Sequence, residues 1–240
     1  MLKNRRKIKA IIFDLDDTLY DCSGTLVLQE RRQIARTIAR ITHCPEEEAY
    51  LLQLETEEEY GIKANIYKKI VSFYNLSDTY IKKLSDEFIN VDISNITLFP
   101  DVTDTLVQLK ARGNNLILVT SGEKQIQKKK IKVLGLHDNY FDEILVPDRK
   151  NGQTKKACFQ EIMQRHTLKP EEILCVGDKI DDELTAGKSL GMITVLFRHG
   201  RHFNRYLKDK AKYMKPDYSI KHIKNLLRLK IMEYSQISQY

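Results

Sequence analysis

The sequence has no apolar run near the ~20 residues that a membrane-spanning helix needs, which excludes a helical membrane protein. The opening segment MLKNRRKIKAIIFD imitates a secretory signal, but its apolar stretch runs only from Ala10 to Phe13 before Asp14 ends it. That reading is rejected. Cysteine is scarce: Cys22, Cys44, Cys158 and Cys175 are widely scattered and form no CxxC pair. A disulfide scaffold and a zinc site are thereby excluded, and a reducing cytoplasm is the expected location. There is no internal repeat or low-complexity tract, and no interleaving of aromatic and basic residues of the kind that RNA-binding modules carry.

What is present is the balance of a globular protein. The 240 residues are 42% hydrophobic and 30% charged, enough for one large domain or for a core with a smaller insert. The formal charge of +7 would suit a polyanionic partner, but its distribution matters more than its total. Glu46 to Glu48 and Glu55 to Glu59 make an acidic stretch, whereas Arg198 to Lys230 is basic. The basic segment reads as a solvated face in preference to a nucleic-acid surface.

Short apolar runs recur along the chain: Ile8 to Phe13, Leu116 to Thr120, Glu143 to Val146, Ile173 to Val176 and Ile193 to Phe197. Their near-continuous apolar character implies burial on both faces, as in a parallel sheet. Between them lie helical patterns, one with Val102, Leu106 and Leu109 facing the core, another with Phe159, Ile162, Met163 and His166. Strands alternating with helices predict right-handed βαβ units and an α/β, doubly wound parallel sheet of Rossmann-like type. About eighty residues separate the first run from the second, far more than a crossover requires. That interval reads as helices over 24–42, 45–59, 63–74 and 77–90, with Pro45 and the following glutamates marking one helix start. The expected organisation is a core of residues 1–20 and 96–240 with an inserted all-helical cap over 21–95, and Asp101 is expected to cap the next core helix.

Ligands of open parallel sheets bind beyond the carboxyl ends of the strands, so the residues there are the candidates. The first strand runs into Asp14-Leu15-Asp16-Asp17-Thr18-Leu19. Alternation predicts that Asp14 and Asp16 point the same way, crowding two carboxylates that would repel unless a cation neutralised them. A hard divalent ion, magnesium above all, is the economical solution. Alone, the segment is equally a surface turn whose aspartates cap a helix. Thr120-Ser121-Gly122 after the second strand offers a hydroxyl and backbone N–H groups for a phosphate, although simple N-capping explains that tripeptide by itself. Gly177-Asp178 with Asp181, Asp182 and Glu183 follows the fourth run, as a second carboxylate site or a capped helix start. Lys155 and Lys156 sit at a helix start, where positive charge opposes the dipole.

Taken together, carboxylates after strands one and four, a hydroxyl after strand two and a lysine between them form an inventory for phosphoryl transfer to a carboxylate. On these residues the sequence resembles the haloacid dehalogenase-like (HAD) hydrolase superfamily, in the phosphatase branch with a C1-type helical cap. DxDxT corresponds to Asp14, Asp16 and Thr18. The strand ending in Thr or Ser corresponds to LILVT at Thr120, and GD with a later acid to Gly177-Asp178 with Asp182 or Glu183. Order and spacing fit across roughly residues 8–227, with Lys-Pro-Asp-Tyr at 215–218 resembling the closing strand. The third motif departs from the family, having Lys155-Lys156-Ala157 where many relatives have Lys-Pro. Lys155 is the preferred motif lysine and Lys156 the alternative.

The resemblance implies a magnesium-dependent phosphomonoesterase acting on a small phosphorylated metabolite. Asp14 would be the nucleophile and Asp16 the general acid and base. Mg2+ would be held by Asp14, the backbone carbonyl of Asp16 and Asp178, with Asp182 and Glu183 acting through water. Thr18, Thr120, Ser121, Gly122 and Lys155 would bind the phosphate. The rival classes are a non-catalytic binding module on the same fold and a phosphatase of nucleic-acid ends. Tyr60, Tyr67 and Tyr74 recur every seven residues, as core packing of a cap helix or, less simply, as an aromatic platform. Nothing in the sequence fixes the oligomeric state.

Overall fold

The computed structural model describes residues 7–61, 65–89, 91–136, 139–148 and 151–233. The chain divides into two compact units, Met1–Ser23 with Ile96–Tyr240, and Gly24–Asn95. The first unit is built on a six-stranded, wholly parallel sheet in the order β3-β2-β1-β4-β5-β6. Its strands are β1 (Ala10–Phe13), β2 (Asn115–Val119), β3 (Glu143–Leu145), β4 (Ile173–Gly177), β5 (Ile193–Phe197) and β6 (Tyr218–Ile220). β1 and β4 are buried along their whole length, which accounts for their unbroken apolar sequence. β3, at the sheet edge, is only half-buried.

Helices of the sheet unit follow the strands: α5 (Val102–Ala111) precedes β2, while α6 (Lys124–Val133), α7 (Lys155–Arg165), α8 (Thr185–Ser189) and α9 (Gly200–Lys208) follow β2, β3, β4 and β5. One face of the sheet packs Ile12, Ile117, Val119 and Cys175 against Phe159 and Ile162 of α7 and Leu184. Val102, Leu106 and Leu109 of α5 are buried as their spacing requires. Two local expectations fail. His166 is the cap residue after α7, and its Nε2 lies 3.1 Å from Glu143 Oε2 at the sheet edge instead of joining the core stripe. Asp101 stands at the start of α5, but its Oδ2 accepts the Lys224 amide at 2.8 Å and leaves its own helix without a side-chain cap.

The second unit contains α1 (Leu28–Thr42), α2 (Glu46–Tyr60), α3 (Ile66–Phe73) and α4 (Thr79–Ile89), with a single π turn, Ser23–Val27, leading into α1. Ile34, Ala35 and Ile38 of α1 pack with Ala49, Ile70, Val71 and Leu84 as its core. The predicted helix over 63–74 begins among residues that lie outside the described ones and runs from Ile66. The seven-residue tyrosine series accordingly spans two helices. Tyr60 ends α2, is exposed and lies under the Lys69 ammonium, whereas Tyr67 and Tyr74 pack against the helical core. The chain passes between the units at 23/24 and 95/96, against an expected first crossing at 20/21. Asp17 explains the later crossing: its carboxylate accepts the Ser23 amide at 2.7 Å and the Ser23 hydroxyl at 2.5 Å, which ties residues 17–23 to the sheet unit.

The closing strand is held by Asp217, just before β6. Its Oδ2 accepts both the amide (2.9 Å) and the hydroxyl (2.8 Å) of buried Thr194 on β5, and its Oδ1 pairs with Lys188. Asp217→Ala should cost about 1–3 kcal/mol, because Thr194 would keep a buried donor with no partner. A urea midpoint indistinguishable from wild type would show that β6 is held by its backbone ladder alone.

Candidate active site

β1 ends at Phe13, but the ladder continues for one residue, with the Asp14 amide donating to Val176 O at 2.9 Å. The Asp14 carboxylate is therefore fixed at the carboxyl edge of the sheet and is buried there. On the adjacent strand, Gly177 ends β4 and Asp178 follows, also buried. Glu183, in the turn after β4, folds back so closely on Gly177 that a methyl group at position 177 would collide with its carboxylate. Gly177 is thus required by close approach and not by backbone conformation. One carboxylate oxygen from each of Asp14, Asp178 and Glu183 lies within 4.8 Å of the others.

Among the described residues, one lysine enters this cluster. α7 begins at Lys155, capped by the Thr154 hydroxyl, which accepts the Ala157 amide. That phase sends Lys155 Nζ to Asp14 Oδ1 at 2.5 Å and to Glu183 Oε2 at 2.9 Å, with only 3% of the side chain exposed. Lys156 is exposed. The other Glu183 oxygen accepts the Lys179 amide at 2.7 Å, and Asp182 faces Lys179 Nζ at 3.5 Å. Of the two candidate acids in this turn, Glu183 is the one that joins the cluster.

Three buried carboxylates against one ammonium leave two negative charges uncompensated when all are ionised. Burial pushes Asp14 up to about 7, opposed by the Lys155 ammonium and reinforced by Glu183. Burial, with Glu183 and Asp14 nearby, also raises Asp178 well above the carboxylate range. Asp178 Oδ2 is buried without a hydrogen-bond partner among the described residues. An excess charge of minus two and an orphaned carboxylate oxygen are what a divalent cation with oxygen ligands would satisfy, so the residues fit such an ion.

Asp16 does not join that cluster, contrary to the expectation from strand alternation. Regular strand geometry has stopped by Leu15, and Asp16 instead makes an isolated bridge with Tyr20. Its Oδ1 accepts from Tyr20 Oη at 2.5 Å and Lys130 Nζ at 2.9 Å, and its Oδ2 from Lys130 Nζ and Gln127 Nε2, both at 3.1 Å. Burial would raise its pKa, but the Lys130 ammonium and the Tyr20 and Gln127 donors outweigh burial and hold it below the ordinary value. Thr120 follows β2 with its amide on Leu145 O, and its Oγ1 accepts from Gln127 Nε2 at 2.6 Å. Gly122 lies against the Gln127 side chain, which a Cβ there would meet at 3.1 Å. The hydroxyls of Thr18 and Ser121 are buried with no hydrogen-bond partner among the described residues. The sequence reading missed Lys130, Gln127 and Tyr20. A signal existed: on α6 and its cap the stripe Gln127, Lys130, Ile131, Leu134 is the buried one, and two of its four members are polar.

A family model of haloacid dehalogenase-like hydrolases matches residues 8–191. The chain belongs to that family. It is similar to the glyceraldehyde 3-phosphate phosphatase of Methanothermobacter thermautotrophicus, with 31% identity over 194 residues covering 79% of this chain and 85% of that protein. The protein of the same name from Methanocaldococcus jannaschii is 30% identical over 234 residues, 92% of this chain and 96% of that one. Among solved structures, a HAD phosphatase from Thermococcus onnurineus superposes with a TM-score of 0.62 at 25% identity, over 92% of this chain and 96% of that one. This HAD-like chain is a hydrolase with the family's sheet, and the relatives named here are phosphatases. No helix among the described residues is long and apolar enough to cross a membrane.

Lys155→Met should lower stability at neutral pH by about 3–5 kcal/mol, since it strands buried carboxylates without their counter-charge. Lys156→Met should stay within about 0.5 kcal/mol. Chemical denaturation of both decides the matter, and equal midpoints would mean that Lys155 does not hold the cluster together.

Proposed function

We propose that this HAD-like hydrolase is a magnesium-dependent phosphomonoesterase that acts on a small phosphorylated metabolite through an aspartyl-phosphate on Asp14. The observation that carries this reading is the Asp14 carboxylate at the end of a buried strand, 2.5 Å from Lys155 and grouped with Asp178 and Glu183. Asp14 and Asp178 would hold the Mg2+ ion together with the backbone carbonyl of Asp16, while Glu183, committed to Lys155 and the Lys179 amide, steadies the set. Bound there, the ion would offset the charge of the carboxylates and of the phosphoryl oxygens during transfer.

Asp14 is the nucleophile: its oxygen bonds to phosphorus as the bond to the leaving alcohol breaks. Lys155 stands ready to screen that oxygen and to bind the transferring group. Thr120 Oγ1 accepts from Gln127, and its own proton can be donated to a phosphoryl oxygen. Thr18 and Ser121 supply two further buried hydroxyls without a partner among the described residues. Asp16, which Lys130, Tyr20 and Gln127 hold as the carboxylate, takes a proton from the water that attacks phosphorus, regenerating Asp14 and releasing phosphate; to protonate a leaving oxygen it must first take up a proton from solvent water. The names of the relatives point to a small sugar-type phosphate such as glyceraldehyde 3-phosphate, and a small substrate agrees with a family reading that needs no nucleic-acid surface.

A panel of triose, sugar and nucleoside phosphates beside 5′- and 3′-phosphorylated oligonucleotides tests the substrate class. Small phosphates should be preferred, and a clear preference for oligonucleotide ends would overturn that class. EDTA should abolish turnover and magnesium restore it, with calcium failing because it favours more ligands in looser geometry. Asp14→Asn should lose at least ~10³-fold in kcat while keeping its fold. Rapid quench of wild type with saturating substrate should trap phosphate on the peptide containing Asp14. A soundly folded enzyme that turns over without ever trapping it would speak for direct attack by water.

A further inference from the structure

α6 carries five lysines, and four of them, Lys124, Lys128, Lys129 and Lys132, are exposed. Lys130 is not: it is 4% exposed and lies on the stripe where an apolar residue would serve packing better. Burying an ammonium is expensive unless it is paired and hydrogen-bonded. Here the pairing is to both oxygens of Asp16, at 2.9 and 3.1 Å. One turn earlier, Gln127 is 1% exposed, and its Nε2 shares two hydrogens among Asp16 Oδ2, Thr120 Oγ1 and Ser121 O, at 3.1, 2.6 and 3.0 Å. Tyr20, fully buried, closes the third side of the carboxylate. Three side chains from two segments thus fix one carboxylate, and one of the three also fixes the neighbouring hydroxyl.

We infer that Lys130, Gln127 and Tyr20 are positioning residues that hold the Asp16 carboxylate in place for proton transfer, with Gln127 setting Thr120 at the same time. The inference rests on the reading of Asp14 and Asp16 given above, and it adds a division of labour between two lysines. Lys155 serves the nucleophile, and Lys130 serves the acid and base without touching substrate. A purely structural lysine would not need a carboxylate at that place. An apolar residue on α6 opposite an apolar residue at position 16 would fill the same space at less cost. The pair stands where the fold would otherwise place core, directly beside Asp14.

The test is a comparison of an alkyl phosphate, whose leaving group needs a proton, with p-nitrophenyl phosphate, whose leaving group does not. Lys130→Met should cost about 10–10²-fold in kcat on the alkyl ester, the scale of a misplaced catalytic group, with less than about threefold change on the aryl ester. Gln127→Leu should affect both esters, because it also frees Thr120. Lys129→Met, on the exposed face of the same helix, should change neither. The decisive measurement is the cycle with Asp16→Asn. If Lys130 acts through Asp16, the double variant Asp16→Asn/Lys130→Met should lose no more than Asp16→Asn alone. That double variant buries no unpaired charge, so it keeps the comparison open should Lys130→Met alone fold poorly; Tyr20→Phe, which deletes one oxygen, provides a milder single change with the same expected alkyl selectivity. Equal losses on both esters, or multiplicative losses in the double variant, would overturn the inference. Asp14→Asn, run in parallel, must be inactive on both esters. Turnover there would refute the nucleophile while leaving the coupling of Lys130 to Asp16 to be read from the same cycle.

Discussion

The structure turns on carboxylates buried at the carboxyl edge of a parallel sheet. Asp14, Asp178 and Glu183 are each less than a tenth exposed, and Asp16 is half-buried against its partners. Charges so placed must be compensated, because the low local dielectric that makes their interactions strong makes an unpaired one costly. Two lysines meet this demand, one from each of the helices that follow β2 and β3. The compensation is unequal. Asp16 has a full counter-charge and two further donors, whereas the Asp14 group has one lysine for three carboxylates. The balanced site is suited to holding a group in place, and the unbalanced one to taking up a cation and an electrophile.

Topology makes this possible. With β1 in the centre of the sheet, between β2 and β4, the chain ends of three adjacent strands deliver Asp14, Thr120 and Asp178 side by side. Asp14 and Thr120 are anchored by backbone hydrogen bonds that continue the ladder, to Val176 and Leu145. The proposed reacting groups therefore stand at the edge of the sheet, and the helices adjust the electrostatics around them. Gly177 shows how tight the adjustment is, since its missing side chain is the space that Glu183 occupies.

The strands were legible because a strand buried on both faces writes itself as an uninterrupted apolar run, and all five such runs are strands of the sheet. The acids and hydroxyls beyond them were legible for a related reason: polar residues that abruptly follow such a run can only lie at its end. The helical nature of 21–95 was equally plain, although its helix starts shifted by one to four residues, because helix ends depend on caps that only geometry settles. The tyrosine series read correctly as core packing for Tyr67 and Tyr74 and not for Tyr60, since a period of seven was counted across Gly61, where α2 ends with φ at +91°. Lys130 and Gln127 were passed over because a lysine-rich helix reads as a solvated one unless its single buried face is known.

The sequence by itself determined the parallel α/β core, the helical character of the inserted segment and the nearness of Asp14, Thr120 and Asp178, all of which follow from the order of apolar runs and the residues that end them. The tertiary structure decided which members of each local pair are used. Lys155 turns inward and Lys156 outward because consecutive helical residues point about 100° apart, and Thr154 sets where α7 begins. Glu183 reaches the cluster and Asp182 does not because the turn after β4 folds Glu183 onto Gly177. Asp14 and Asp16 take different partners because regular strand geometry does not continue past Asp14, and because Lys130, more than a hundred residues away in the chain, is packed where it hydrogen-bonds the second. Such choices depend on the direction in which a side chain leaves the backbone, and that direction is fixed only when distant elements are in contact.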